Sequence, residues 1–295
     1  MALVARSVIS PYPMTRIAVL GNGFLGNRFA AQISGAELVR VDITDVTALK
    51  RALTEGKYDV VVNAAGKTGR PNVDWCESHR EETYRSNVTG ALNVADVCAS
   101  TGAYLLHLGS GCVFYGDSPS PAGWREDDHA NPSAFYSRAK YAADLVLSEL
   151  PNVAVARLRM PIDSLPGDRN LITKLSRYSQ VVDVENSVTI VDDLVDVSRK
   201  LIEKRAVGVF HVTNPGTMRH RDLLALYKEL VDPTHDYTLI APEDLVTKGL
   251  AVKGRSNGIL SSQRLVAAGI TMRPVDVALR ETMQEYARAV RSVAR

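Results

Sequence analysis

The chain has 295 residues, 45% apolar and 23% charged, an ordinary globular make-up with room for one large α/β domain or a nucleotide-binding domain and a smaller partner. Its 35 basic and 33 acidic side chains leave a formal net charge of +2 and are interspersed, without the Lys/Arg runs that bind nucleic acid or anionic membranes. Cys76, Cys98 and Cys112 have neither the number nor the spacing of a disulfide framework or a zinc site. No apolar run reaches the ~18–20 residues of a membrane span, so a cytoplasmic protein without metal, nucleic-acid or membrane partners is expected.

Residues 1–13 carry a weak apolar stretch broken by Arg6 and two prolines. They are expected to be a loose extension, a poor signal peptide, with Met14-Thr15-Arg16-Ile17 reading as a second natural start. Residues 16–20 make a short strand that leads into Gly21-Asn22-Gly23-Phe24-Leu25-Gly26, and a helix follows to about Ser34, ended by Gly35. Another strand, 37–41, closes on Asp42. The runs 58–62, 104–108 and 153–158 are near-continuously apolar, as strands covered on both faces are. Helical segments at 46–54, 79–100 and 133–150 lie between them. Strand alternating with helix at this spacing predicts an α/β fold with a Rossmann-type, doubly wound parallel sheet over 14–158. Beyond Arg159-Met160-Pro161 strands shorten (181–184, 209–212) and the helices at 221–230 and 275–291 are amphipathic. Residues 159–295 are therefore expected to form mainly a smaller substrate-binding lobe, with some segments returning to the nucleotide-binding domain.

Gly21-x-Gly23-x-x-Gly26 falls between a strand and a helix. The first glycine allows the turn, the second lets backbone approach a pyrophosphate, and the third lets helix and strand pack closely. The helix N-terminus then offers N–H groups to the phosphates of an NAD(P) cofactor. Asp42, 21 positions past Gly21, can accept from an adenosine ribose, which favours NAD. Arg28 and Arg40 are near enough in sequence to hold the 2′-phosphate of NADP, and the choice stays open.

Tyr136-Ser137-Arg138-Ala139-Lys140 places a phenol and an ammonium one turn apart on a helix face. The ammonium is expected to lower the phenol pKa and hold the nicotinamide ribose, and the phenol to protonate a carbonyl oxygen as hydride arrives. Tyr-x-x-x-Lys also arises on ordinary surface helices. Ser110 strengthens the reading: it ends the strand 104–108, where ligands of such sheets bind, and offers a second donor to the same oxygen. Cys112, two residues on, is either a small apolar residue or a thiol able to move a proton beside a ketone.

This arrangement resembles the extended short-chain dehydrogenase/reductase family. Asn63-Ala64-Ala65-Gly66 is similar to its motif beside the cofactor and Asn87 to its structural asparagine, whereas the glycine loop is one residue shorter than usual. Gly111 and Cys112 replace the Asp-Glu pair typical of 4,6-dehydratases. The stretch Asn63–His79 in this chain, with Arg157-Leu158-Arg159-Met160-Pro161-Ile162, Arg169-Asn170-Leu171-Ile172-Thr173-Lys174, Thr213-Asn214-Pro215-Gly216 and Arg255-Ser256-Asn257, is very similar to the plant bifunctional nucleotide-4-keto-6-deoxyglucose 3,5-epimerase/4-reductases. The resemblance implies catalysis by Ser110, Tyr136 and Lys140, with Cys112 and Lys174 as the epimerising acid/base pair. It implies NADP (as NADPH) or NAD held by Gly21, Gly23, Phe24, Leu25, Gly26, Asp42, Asn63, Ala64, Ala65, Gly66, Tyr136 and Lys140. It also implies a UDP- or dTDP-sugar substrate supplied by a 4,6-dehydratase. Arg70, Arg169, Arg177 and Arg255 are candidates for the diphosphate, because planar guanidinium suits that anion, and Asn72 and Asn170 are further substrate candidates. The rivals are a monofunctional dTDP-4-dehydrorhamnose-type 4-reductase and a non-catalytic regulatory subunit. A homodimer through helix 81–98 is a further possibility.

Overall fold

Strands whose side chains are mostly apolar on both faces can only be covered on both faces, and five such strands with one half-exposed edge strand form the centre of this molecule. A computed structural model describes residues 15–293; the extension expected at 1–13 lies outside the described residues. The strands are β1 (Ile17–Leu20), β2 (Ala36–Val39), β3 (Val60–Asn63), β4 (Tyr104–Ser110), β5 (Val153–Leu158) and β6 (Gly208–Val212). They are all parallel, in the order β6-β5-β4-β3-β1-β2. The chain runs outward in one direction from β1 to β2 and in the other from β3 to β6. The crevice beyond the carboxyl ends of β1 and β3 is thus the switch point where open α/β sheets bind ligands.

Two apolar layers sandwich the sheet. One buries Phe29, Leu194, Leu201 and Phe210, from helix α1 (Phe24–Gln32), the 191–203 helix and β6. The opposite layer buries Leu49 and Leu53 of α2 (Val46–Gly56), Val94 and Cys98 of α3 (Gly90–Thr101), and Ala143 and Leu147 of α4 (Phe135–Leu147). Local signals set the ends: the Asp45 carboxylate caps α2 by accepting from Ala48 N at 3.0 Å, and Gly102 closes α3 at φ 74°.

The single helix expected over 79–100 is three pieces, Arg80–Tyr84, a π-helical run Arg85–Thr89, and α3. Tertiary bonds explain the break. Asn87 turns inward, donates to the carbonyls of Thr83 (3.0 Å) and Lys67 (2.9 Å), and accepts from Lys67 N at 3.1 Å. A π-turn of this kind re-aims one side chain, and here it pins the loop after β3.

A third core, with Ile162, Ile172, Val188, Ile190, Leu223, Leu279 and Met283, lies in the C-terminal part. Its strands are short pairs: Pro161–Ile162 with Thr189–Ile190, Glu185–Asn186 with Met218–Arg219, and Gln180–Val182 with Thr238–Ile240. β6 and α5 (Val191–Glu203) pack on the main sheet although they come late in sequence. Among the described residues no helix is long and apolar enough to cross a membrane.

Candidate active site

The glycine loop divides its work among its glycines. Gly21 sits at φ 100°, and a Cβ there would meet Ala65 N at 2.5 Å; at Gly26 a Cβ would fall 1.8 Å from the Gly21 carbonyl oxygen. These two permit packing. Gly23 has nothing within 4 Å of its Cβ position, and it stands at the N-terminus of α1, which no side chain caps. Open space, flexible backbone and the positive end of a nine-residue helix fit the phosphates of a dinucleotide. Phe24 and Leu25 form the half-buried first turn behind it.

Beyond the end of β2, Asp42 is exposed, and one of its oxygens accepts from Thr44 N (2.9 Å) and Thr44 Oγ1 (2.8 Å). Those two bonds, with Arg85 and Lys67 nearby, hold its carboxyl below the usual range. Arg28 is withdrawn from this end: its Nε lies 3.1 Å from Asp163 and an NH2 group 2.7 Å from Asp192, so it ties α1 to the C-terminal part. Arg40 stays exposed.

Beside the loop, Asn63 ends β3 with its side-chain oxygen accepting from Ala65 N at 3.1 Å, and Ala64 N donates to Leu20 O at 2.9 Å. A Cβ on Gly66 would meet Asn87 Oδ1 at 2.9 Å. Ser110 ends β4, and its hydroxyl accepts from the backbone N–H of Cys112 at 3.2 Å through a single 3₁₀ turn, Gly111–Val113. Tyr136 and Lys140 project from the first two turns of α4 toward this strand end. Burial and Cys112 push the Tyr136 phenol up, while the Ser110 hydroxyl pulls it back.

One expectation is corrected here. The Lys140 ammonium was expected to lower the Tyr136 phenol, yet the Lys140 Nζ turns inward. It donates to the Leu108 carbonyl at 2.8 Å and lies 2.9 Å from His107 Nε2, and burial brings its pKa down to about 8. His107 was not singled out from the sequence as a site residue, and a histidine inside an otherwise apolar strand was its only signal.

In the C-terminal part, Lys174 is half-buried on the short helix Leu171–Leu175, its ammonium pushed down by burial and by Arg169 and Arg255. Arg169 donates to the Gly69 carbonyl at 2.7 Å. Arg255 grips both oxygens of Asp74 at 2.6 and 2.7 Å, and Asn72 orients that turn by accepting from Asp74 N at 2.8 Å. Arg70 is exposed on the same loop. Two candidates have other employment. Asn170 is wholly buried, capping the 171–175 helix through Ile172 N and donating to the carbonyls of Asp163 and Leu165, so its amide is committed to the fold. Arg177 pairs with Asp168 on the exposed surface.

Arg159 went unremarked in the sequence beyond its motif. It is 1% exposed, and among the described residues no carboxylate forms a salt bridge with it. Its guanidinium instead bonds Gly111 O (3.2 Å), Ser256 O (2.7 Å), Ser256 Oγ (3.3 Å) and Asn186 Oδ1 (2.5 Å), holding the turn between Ser110 and Cys112. Among the described residues no cluster of three or more His, Cys, Asp or Glu is placed to hold a metal ion.

A glycine cradle at the switch point beside a Ser-Tyr-Lys group is the layout of a dinucleotide-dependent enzyme. Residues 15–288 match the family described as the RmlD substrate binding domain. The chain belongs to that family. As a chain of the RmlD-type reductase family it is an enzyme, and its relatives are consistent with this. It is 41% identical over 211 residues to the bifunctional dTDP-4-dehydrorhamnose 3,5-epimerase/dTDP-4-dehydrorhamnose reductase of Arabidopsis thaliana, covering 70% of this chain and 69% of that protein. A trifunctional UDP-glucose 4,6-dehydratase/UDP-4-keto-6-deoxy-D-glucose 3,5-epimerase/UDP-4-keto-L-rhamnose-reductase of the same plant is 36% identical over 82% of this chain, but the match spans 37% of that longer protein. The crystal structure of the L780 UDP-rhamnose synthase from Acanthamoeba polyphaga mimivirus superposes with a TM-score of 0.85 at 26% identity, over 92% of this chain and 99% of that one. The dTDP-4-dehydrorhamnose reductase of Bacillus anthracis, solved in complex with NADP, shares the fold with a TM-score of 0.79 at 21% identity, over 94% and 99% of the two chains.

Proposed function

We propose that this RmlD-type enzyme is a bifunctional 3,5-epimerase/4-reductase that converts UDP- or dTDP-4-keto-6-deoxyglucose to the L-rhamnose nucleotide with NADPH. Residues 14–158 then bind mainly the dinucleotide and 159–295 mainly the sugar nucleotide. The observation that carries the reading is the turn Ser110–Cys112: one strand end presents a hydroxyl for the carbonyl oxygen and, two residues on, a thiol. The 41% identical plant relative is named for both activities, which supports the epimerase half.

Ser110 and Tyr136 donate to the C4 oxygen and withdraw electron density from the ring, which acidifies the hydrogens on C3 and C5. Cys112 and Lys174 approach from different lobes and work as a pair, one removing the proton at a centre and the other returning a proton to the opposite face. The enolate formed between these steps is held by the same two donors. A lysine lowered by burial and by two neighbouring arginines is closer to the pKa a general base needs than an ordinary one. When bound, the nicotinamide supplies the hydride that reduces C4. Tyr136 gives its proton to the oxygen, and the bonds around Asn63 and Gly23 keep the loops beneath it in place. A 4-keto-6-deoxy sugar nucleotide is the product of a 4,6-dehydration, so an enzyme of that class must supply the substrate.

Incubation of the chain with the 4-keto sugar nucleotide and NADPH in D2O tests the reading. The expected product is the rhamnose nucleotide with solvent deuterium at C3 and C5. Cys112→Ser should bind cofactor but lose the deuterium at those carbons. Turnover only when an already epimerised sugar is supplied would reduce the chain to a plain 4-reductase.

A further inference from the structure

His107 lies in the middle of β4, wholly buried, with a partner on each ring nitrogen: Nδ1 is 3.1 Å from Asn63 Nδ2, and Nε2 is 2.9 Å from Lys140 Nζ. The direction of these bonds can be assigned from the surrounding partners. Asn63 Oδ1 faces the backbone N–H of Ala65 at 3.1 Å. That group can only donate, so the Asn63 amide cannot be turned over without setting donor against donor. Asn63 Nδ2 therefore donates to His107, and His107 Nδ1 accepts. A neutral imidazole that accepts at Nδ1 carries its proton on Nε2, and that proton points at Lys140.

An ammonium has three donors and no lone pair. Facing Nε2–H at 2.9 Å it would make a donor–donor contact in a buried place. A neutral amine resolves the contact: its lone pair accepts from His107 Nε2–H while one of its own hydrogens goes to Leu108 O at 2.8 Å. The other histidine tautomer only moves the conflict to Asn63, and the imidazolium creates it at both ends. We infer that His107 is a positioning residue that stores Lys140 as a neutral amine in the cofactor-free chain, and that Lys140 takes up a proton from solvent when a dinucleotide draws its Nζ away.

The electrostatics point the same way. Burial alone keeps the His107 ring neutral, its pKa well below the usual value, a Lys140 ammonium would only press it lower, and burial brings Lys140 down to about 8, where amine and ammonium are both within reach. The carboxylate acting on Lys140 is Asp144, one turn along α4, but it is already paired with Arg157 of β5 at 2.8 Å. Tyr136, one turn before, is protonated with its pKa pushed up, and Cys112 and Cys76 are the groups that face it from the neighbouring turns. The phenol thus meets a cation only after cofactor has arrived, which keeps Tyr136 a proton donor in the empty site.

The first half of the inference concerns the free protein, and only the second rests on the dinucleotide reading of the site. Long-range ¹H–¹⁵N spectra of the cofactor-free chain should show His107 as the Nε2–H tautomer, without titration between about pH 6 and 9. Carbon-13 titration of labelled lysines, with Lys140 assigned by Lys140→Arg, should give a midpoint at about 8 or below. An Nδ1–H tautomer, or a Lys140 midpoint near the ordinary value of about 10.4, overturns the inference. Calorimetry of NADPH binding at about pH 8.5, in buffers of different ionisation heat, should then show uptake of most of one proton. His107→Gln should lose that uptake, because its amide oxygen gives the ammonium an acceptor before cofactor arrives. Binding without uptake by the native chain refutes the proton step. Absence of binding refutes the dinucleotide reading and leaves the tautomer result standing. All native-chain measurements decide without the variant, should His107→Gln not fold.

Discussion

Replacing Arg159 by methionine should separate the two proposed half-reactions. The guanidinium is the anchor of the turn that carries Cys112, and it gives that turn its 3.2 Å bond at Gly111 O and fixes Ser256 O at 2.7 Å. Asn186 Oδ1 retains a donor in Gly258 N at 3.1 Å and Gly111 O keeps a long bond from Phe114 N at 3.5 Å, so the Ser256 carbonyl is the one left without its donor. At about 1–3 kcal/mol for one unsatisfied group, with a smaller loss at Gly111 O, the cost is roughly 1–4 kcal/mol. Against it stands the relief of a buried cation without a counter-ion, whose Nε has no acceptor at all, an effect of a few kcal/mol. The two nearly cancel, and the net expectation is a change in stability of no more than about 2 kcal/mol, a few degrees in Tm. The kinetic effect should be larger and selective. A misplacement of about 1 Å at a reacting group can cost about 100-fold, and the freed turn carries Cys112 while Tyr136 is held by α4. Deuterium exchange at C3 and C5, followed by NMR, should fall about 100-fold. NADPH oxidation with a pre-epimerised 4-keto sugar should fall less than about 10-fold. Equal loss in both assays, or unchanged exchange in a chain whose Tm has dropped, would refute Arg159 as the anchor of Cys112.

Gly23→Ala should leave Tm nearly unchanged, because nothing lies within 4 Å of the new methyl, yet weaken NADPH binding at least about 10-fold by fluorescence titration. Gly26→Ala should instead cost the fold itself, since its methyl would lie 1.8 Å from Gly21 O. Acid stability provides another check. His211 is buried and neutral, its pKa brought down to about 3 by burial and Arg157. The unfolded chain takes up this proton below about pH 6.5 while the native chain does not, so stability falls as pH drops from about 6.5 toward 3, by up to ~1.4 kcal/mol per unit. Urea midpoints at about pH 7, 5.5 and 4.5 should show a shallower slope in His211→Gln; an identical slope counts against this account. Asp74→Ala should free the Arg255 guanidinium and the Asn72 turn, raising KM for the sugar nucleotide more than it lowers kcat.

The sheet was legible because parallel strands covered on both faces must be apolar throughout, and β5 falls where the run 153–158 puts it. Helix 79–100 was not, because its periodicity is helical throughout and the break is made by Asn87 reaching Lys67, 20 residues away. Ser110, Tyr136, Lys140 and the three glycines, singled out by motif and spacing, all stand at the carboxyl end of the sheet. Partners did not read. Nothing local in Arg28, Asn170 or Arg177 says that an ion pair, a helix cap or a surface bridge will claim it. His107 looks like a stray polar residue until Asn63 and Lys140 close on it from 44 and 33 positions away.

Where the arginines go bears on how the lobes cooperate. Arg28 joins α1 to Asp163 and Asp192, Arg159 joins the end of β4 to Asn186 and Ser256, and Arg169 and Arg255 hold the loop after β3 at Gly69 and Asp74. Arg159 at Gly111 O, Arg169 and Arg255 cross from the C-terminal part to turns after β4 and β3, at the carboxyl ends of the strands, and Arg28 meets the same part from helix α1. A guanidinium already forked onto a carboxylate, as Arg255 is, can take a diphosphate only by releasing Asp74. Arg70 is exposed on the same loop, and Arg169 has only a carbonyl to give up, so these two face a smaller exchange. The arginines that looked alike in sequence thus divide by what they hold. Arg255 shapes the loop and the field around Lys174, whereas we propose Arg70 and Arg169 as the guanidiniums that meet the anion.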